Sequence, residues 1–122
     1  MSHTTPQPAS ATRPISATFL DFATPLLRAL SPQASKDDAE AALKIAFTVW
    51  NFVVLDVLHG NHEYVAMIRQ STAGEPASAA VVEQMIARKQ ALFADDHRLL
   101  GKYSLTRKHG EWRLRVEEGT AR

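Results

Sequence analysis

The sequence predicts a mainly α (α+β) fold: a compact, four-helix, bundle-like domain with a C-terminal β-hairpin packed on it. Three observations carry that prediction. Apolar residues recur at three- and four-residue spacing through four segments between about residues 16 and 94, the period of a helix with one buried face. Helix breakers stand between those segments, at Ser31-Pro32, at Gly60 and in Thr72-Ala73-Gly74-Glu75-Pro76. Beyond residue 101 the period drops to two on either side of His109-Gly110, the pattern of two strands joined by a tight turn.

The first helix is predicted from Ser16 to Leu30, with Phe19, Phe22, Leu26, Leu27 and Leu30 on one face. Pro25 lies inside it, so a kink there, or a start nearer Thr24, is expected. The second helix opens on Ser35-Lys36-Asp37-Asp38, which has the form of a capping box with a short acid at its last position. It runs to His59, and Gly60 takes the left-handed position beyond its end. From Ile45 onward it is apolar almost all round, so it should be the central helix that the others wrap. Asn61 is placed to cap a third helix carrying Tyr64, Val65, Met67 and Ile68 and ending near Ser71. A fourth runs from Pro76 to Ala94, with Val81, Val82, Met85, Ile86, Leu92 and Phe93 as its stripe.

The hairpin, about residues 102–117, has a register that side-chain chemistry tests. A turn centred on His109-Gly110 sets Tyr103 opposite Val116, Leu105 opposite Leu114 and Arg107 opposite Trp112 on one face. Lys102 with Glu117, Ser104 with Arg115 and Thr106 with Arg113 fall on the other. One face is apolar and the other polar, as a half-buried sheet requires.

Composition bounds the function. A chain of 122 residues, 45% hydrophobic and 22% charged, fits one domain, because its halves are too small to bury separate cores. Residues 1–14 hold three prolines and, beyond Met1, nothing more apolar than alanine; a flexible tail is expected there, with one domain over 15–122. There is no cysteine, which removes disulfides, thiolate metal sites and thiol nucleophiles. The longest apolar stretch, Ile45 to Leu58, contains Thr48, Asn51 and Asp56 and is shorter than the roughly 20 residues of a bilayer span. The opening MSHTTPQPASATRP has neither an apolar run nor a cluster of positive charge, so no signal peptide, no membrane association and a cytoplasmic location are expected.

Charge divides unevenly. Residues 1–97 hold seven Lys or Arg against ten Asp or Glu, and residues 98–122 hold seven against three, so the hairpin is the positive end. Arg98, Arg107, Lys108, Trp112, Arg113 and Arg115 are therefore the candidate surface for a partner or a nucleic acid. Against nucleic acid, Arg107 is placed to cover Trp112, Lys102 and Lys108 have Glu117 and Glu111 opposite them, and the isoelectric point is near 8.2 rather than above about 9.

The densest polar cluster is Asp56, His59, His62 and Glu63. Asp56 and His59 share a helix face, and the four supply N and O donors of the kind that bind zinc or iron. Against a metal site, each residue also suits a helix end, and no second carboxylate–histidine motif exists for a two-metal bundle site. Thr48 and Asn51 are polar groups on the central helix, expected to be buried; Asn51 is expected to bond a neighbouring backbone carbonyl, with an inter-helix pocket or an oligomer seam as alternatives. Asp95-Asp96-His97-Arg98 reads as the junction of bundle and hairpin. The five glycines are never closer than nine residues, so there is no glycine-rich phosphate loop, and neither a nucleophile elbow nor H-E-x-x-H occurs. The reading that follows is a small non-catalytic interaction or regulatory module, acting through a protein partner or as a homo-oligomer and needing no cofactor. The alternatives are a metal- or ligand-binding protein or enzyme using the Asp56 cluster, and nucleic-acid binding through the hairpin.

Overall fold

The computed structural model describes residues 13–119; residues 1–12 of the expected tail lie outside the described residues. Four helices precede one hairpin: α1 (Ile15–Arg28), α2 (Lys36–His59), α3 (Glu63–Ser71), α4 (Pro76–Leu92), β1 (Leu99–Lys108) and β2 (Glu111–Gly119). The α+β architecture is the one the sequence predicts.

The start of α2 is sealed by its capping box: Ser35 Oγ accepts from the Asp38 N–H, and the Asp38 carboxylate accepts from the Ser35 N–H, each at 3.1 Å. Gly60 ends it at φ 66°, ψ 34°, the left-handed conformation that a side chain resists. Among the described helices only α2 is long and apolar enough to cross a bilayer, with a mean hydropathy of 1.7 over its most apolar stretch. Part of its apolar length packs inside the domain: α1, α3, α4 and β1 all contact it, and Leu43, Ala46, Val49, Trp50 and Val54 are fully buried, while Val57 and Leu58 near its end are exposed. The centre is aromatic, with Phe22, Trp50 and Phe93 rings 5.3 to 5.7 Å apart.

Helix α1 continues through Pro25 and does not begin near Thr24. Proline has no N–H, so the carbonyl of Asp21 loses its helical donor. Arg88 of α4 supplies one instead: its Nη2 donates to the Asp21 carbonyl at 2.9 Å and its Nε to the Phe22 carbonyl at 3.1 Å. The helix-breaking residue thus becomes the point at which α4 grips α1.

The stripe of α4 differs from the expected one at its end. The helix stops at Leu92, whose side chain is 65% exposed, while Val82, Met85, Ile86 and Phe93 are buried and Lys89 joins them at 1% exposure. Met67 of α3, expected to face inward, is 56% exposed.

The hairpin has the predicted register throughout: Tyr103 faces Val116, Leu105 faces Leu114 and Arg107 faces Trp112. His109 (φ 54°) and Gly110 (φ 80°) form the turn. Both are left-handed, which matches the strand twist. Leu105 and Val116 are buried, and Ser104, Thr106, Arg113 and Arg115 on the opposite face are exposed. The strands run further than residues 102–117 because a bulge between Leu100 and Lys102 carries the pairing on to Gly119. The backbones close there: a Cβ on Gly101 would lie 3.1 Å from the Gly119 Cα, so two glycines face each other.

Candidate functional site

The residues proposed as metal ligands are not assembled into a set. Asp56 is buried, and both of its oxygens are spent on backbone: Oδ1 accepts from the Tyr64 N–H at 2.8 Å and Oδ2 from the Val65 N–H at 3.0 Å. Asn61 Oδ1 accepts from the Glu63 N–H at 3.2 Å. The first turn of α3 is thus capped by Asp56, which reaches across the Gly60 turn, together with Asn61, while His62 holds the cap position with no side-chain bond. A carboxylate on these N–H groups is also where the helix dipole favours an anion. His59 is exposed and stacks on Tyr64, with ring centroids 5.9 Å apart. His62 and Glu63 are exposed. Among the described residues no three His, Asp or Glu side chains form a group able to hold a metal ion.

The structure does bring Asp56 and His62 to the wall of one cavity, of about 610 Å³, between the end of α2, α3 and the end of α4. Val53, Val54, Val57 and Val65 make its apolar side, and His62, Arg69, Lys89, Gln90 and His97 its polar side. Arg69 is held by Glu83 in a two-bonded pair at 2.7 and 3.0 Å.

Lys89 is the residue the sequence reading missed. The signal was present: position 89 continues the spacing of Val82, Met85, Ile86 and Phe93, so α4 periodicity puts a lysine on the apolar face. Its Nζ donates to the carbonyls of Phe93 at 2.6 Å and Asp96 at 2.7 Å and lies 4.2 Å from the centre of the Trp50 ring. The ammonium closes the C-terminal end of α4 and the turn that follows, satisfying carbonyls that would otherwise be buried alone. Burial pushes it down to about 8, against the opposing pull of Asp96 and Asp95.

That depression has a sign. Between about pH 8 and the ordinary lysine value near 10.5, the unfolded chain holds a proton that the folded chain has released. Stability attributable to Lys89 therefore rises with pH in that window and is lost as pH falls through 8. From pH 7.5 to pH 10 the gain is expected to be about 2 kcal/mol. Urea unfolding across that range checks it, with Lys89→Met as the control that lacks the rise. A flat profile in both proteins would contradict the assignment.

The six candidate surface residues of the basic end divide into two sets. Arg98 turns inward: it donates to both oxygens of buried Asp96, at 2.9 and 2.6 Å, to the Arg13 carbonyl at 2.8 Å and to Thr18 Oγ1 at 3.3 Å. Arg107 lies 4.7 Å over the Trp112 ring and donates to the carbonyls of Ala34 and Pro32 at 3.2 and 3.1 Å. Trp112 is half-buried beneath it, and Lys108, Arg113 and Arg115 remain exposed.

Thr48 and Asn51 of α2, expected to be buried, are half-buried because the hairpin covers only one side of them, and Asn51 together with Trp50 holds the hairpin by its backbone. Asn51 Nδ2 donates to the Leu100 carbonyl at 2.9 Å and its Oδ1 accepts from the Leu100 N–H at 2.7 Å. Trp50 Nε1 donates to the Arg98 carbonyl at 2.7 Å. Thr48 is half-buried one turn earlier, and its side chain makes no hydrogen bond among the described residues. On the other strand, Ser16 Oγ accepts from the Val116 N–H at 2.7 Å and donates to its carbonyl at 3.2 Å. A side chain from a helix thus engages each outer edge of the hairpin.

Those bonds fix which backbone groups of β2 point away from β1. Val116 points outward, and in an antiparallel strand alternate residues share that direction, so Leu114 and Trp112 do too. Among the described residues nothing bonds their outward N–H and C=O groups. The chain matches no known family model, and neither a curated protein sequence nor a solved structure is significantly similar to it.

Proposed function

We propose that this chain is a small, non-catalytic interaction module that takes an extended, acid-bearing segment of a protein partner along the outer edge of β2. The observation that carries this reading is the run Trp112–Arg115: outward backbone donors and acceptors at Trp112 and Leu114, alternating with exposed Arg113 and Arg115. Main-chain pairing supplies affinity in strand addition, and the alternating side chains supply specificity. A second copy of β2 centred on Leu114 would set Arg113 against Arg115, and like charges directly opposed are destabilising. An acidic strand matches where a copy repels. The polar groups inside the domain support the same reading, because Asp56, Asn51, Lys89 and Asp96 are occupied in holding helices and hairpin together.

The test is fluorescence anisotropy with a labelled peptide alternating valine and glutamate, its valine–lysine counterpart and a single-stranded oligonucleotide of equal charge. The glutamate peptide is expected to bind, and Arg113→Glu with Arg115→Glu to weaken it about tenfold, in line with two exposed charge contacts. Tighter binding of the oligonucleotide, falling steeply between about 50 and 200 mM salt, would transfer the surface to nucleic acid. Indifference to all three probes would remove the reading.

A further inference from the structure

The cavity between α2, α3 and α4 lies apart from the hairpin edge, and we propose that it is a binding site for a small uncharged molecule, a branched or aromatic hydrocarbon bearing one amide or alcohol group. Its volume, about 610 Å³, falls within the range of small-molecule sites, which join a largely apolar wall to a few convergent polar groups. Val53, Val54 and Val65 line it and are buried, so it has an apolar floor, and Val57 stands exposed at its mouth.

The neutrality of the ligand follows from how the wall answers its own charges. Asp56 and Lys89 are both buried and opposite in sign. Asp56 rests on the first N–H groups of α3. Lys89 turns its ammonium to the carbonyls of Phe93 and Asp96 and to the Trp50 ring, none of which lines the cavity, and Asp96 and Asp95 act on the same charge. The wall therefore receives the hydrocarbon stem of that lysine. Arg69 is matched by Glu83. An anion seated here would face Asp56 with no open cation to meet it, and a cation would find no open carboxylate. A buried charge left without a partner is costly in either sign.

What stays open on the wall is neutral. Asn61, half-buried, spends its Oδ1 on the Glu63 N–H, and its side-chain N–H₂ has no partner among the described residues. The Gln90 amide, across the cavity on α4, has none either. One donor and one two-sided amide suit a carbonyl or hydroxyl, which needs no counter-ion. The valine methyls beneath favour a hydrocarbon body.

The experiment is an amide NMR titration of the full chain with phenylacetamide and 2-phenylethanol, using phenylacetate and phenethylammonium as anionic and cationic matches. At least one neutral probe is expected to shift the amides of Val57, Asn61, Val65 and Gln90 saturably, and to bind at least tenfold more tightly than either ion. Val57→Trp, at a position 52% exposed, fills the cavity from its mouth and should abolish those shifts. In the unmodified chain, intermolecular NOEs from the probe's ring to the methyls of Val53, Val54 and Val65 locate it without any substitution. The proposal is overturned if neither neutral probe saturates, if the acid or the amine binds as tightly, if the NOEs fall on other residues, or if Val57→Trp leaves the affinity intact.

Discussion

Replacing Asp56 with alanine is expected to lower the unfolding free energy by about 4 kcal/mol, because two inward-facing N–H groups lose their only acceptor and each such loss costs about 1 to 3 kcal/mol. The carboxylate holds the Tyr64 and Val65 N–H groups at 2.8 and 3.0 Å, and α3 is only nine residues long. A helix that short has little stability of its own and depends on its docking. The loss should therefore be local first: hydrogen exchange at Tyr64 and Val65 accelerates before the rest of the domain opens. Asp56→Asn retains one acceptor oxygen but turns an N–H₂ toward the other donor, so an intermediate loss is expected. Urea denaturation of the three proteins orders them, and a loss below about 1 kcal/mol in Asp56→Ala would refute the capping role. Zinc added to the native protein should leave its thermal midpoint unmoved, whereas a metal site would raise it.

Asn51→Leu should cost about 3 kcal/mol, since it strips the partner from both the N–H and the C=O of Leu100 at once. Leucine fits the volume and the apolar surroundings, so the loss isolates the two hydrogen bonds. Asn51→Asp is the informative companion: it still accepts from the Leu100 N–H but sets a negative oxygen against the Leu100 carbonyl. Both variants should be destabilised without a change of oligomeric mass, as seen by sedimentation. A shift in mass with stability intact would instead assign Asn51 to a subunit seam.

Local rules reached far into this fold and stopped at contacts between distant segments. The hairpin register was legible residue by residue because the strand period and the left-handed His109-Gly110 turn impose the same pairing. The capping box at Ser35 and the stop at Gly60 were legible because both are written within five residues. Asn51 shows the limit. Its need for a backbone partner follows from its place on the apolar central helix, but the partner, Leu100, is 49 residues away, and no spacing rule names it. Asp56 invited a metal reading because Asp56, His59, His62 and Glu63 are close in sequence. The carboxylate turns instead to the next helix, and the histidines face solvent. Lys89 was overlooked for the opposite reason, since charge was given more weight than period. Leu92 and Met67 were assigned inward by type and lie outward, because which flank of a helix is covered depends on where its neighbours pack.

The bonds between Ser16 and Val116 join positions 100 residues apart, and those from Arg98 to Arg13 and from Arg107 to Pro32 span 85 and 75. Helix α1 and the residues flanking it are thus fastened to the hairpin and to Arg98 just before it, all made long after, whereas the hairpin and the α2–α3 turn close over a few residues. Loop closure taxes the long connections before they are rewarded. The order of assembly follows: turn and hairpin early, the α1 clasp last. Mutations at Ser16 should accordingly quicken unfolding and leave the folding rate nearly untouched.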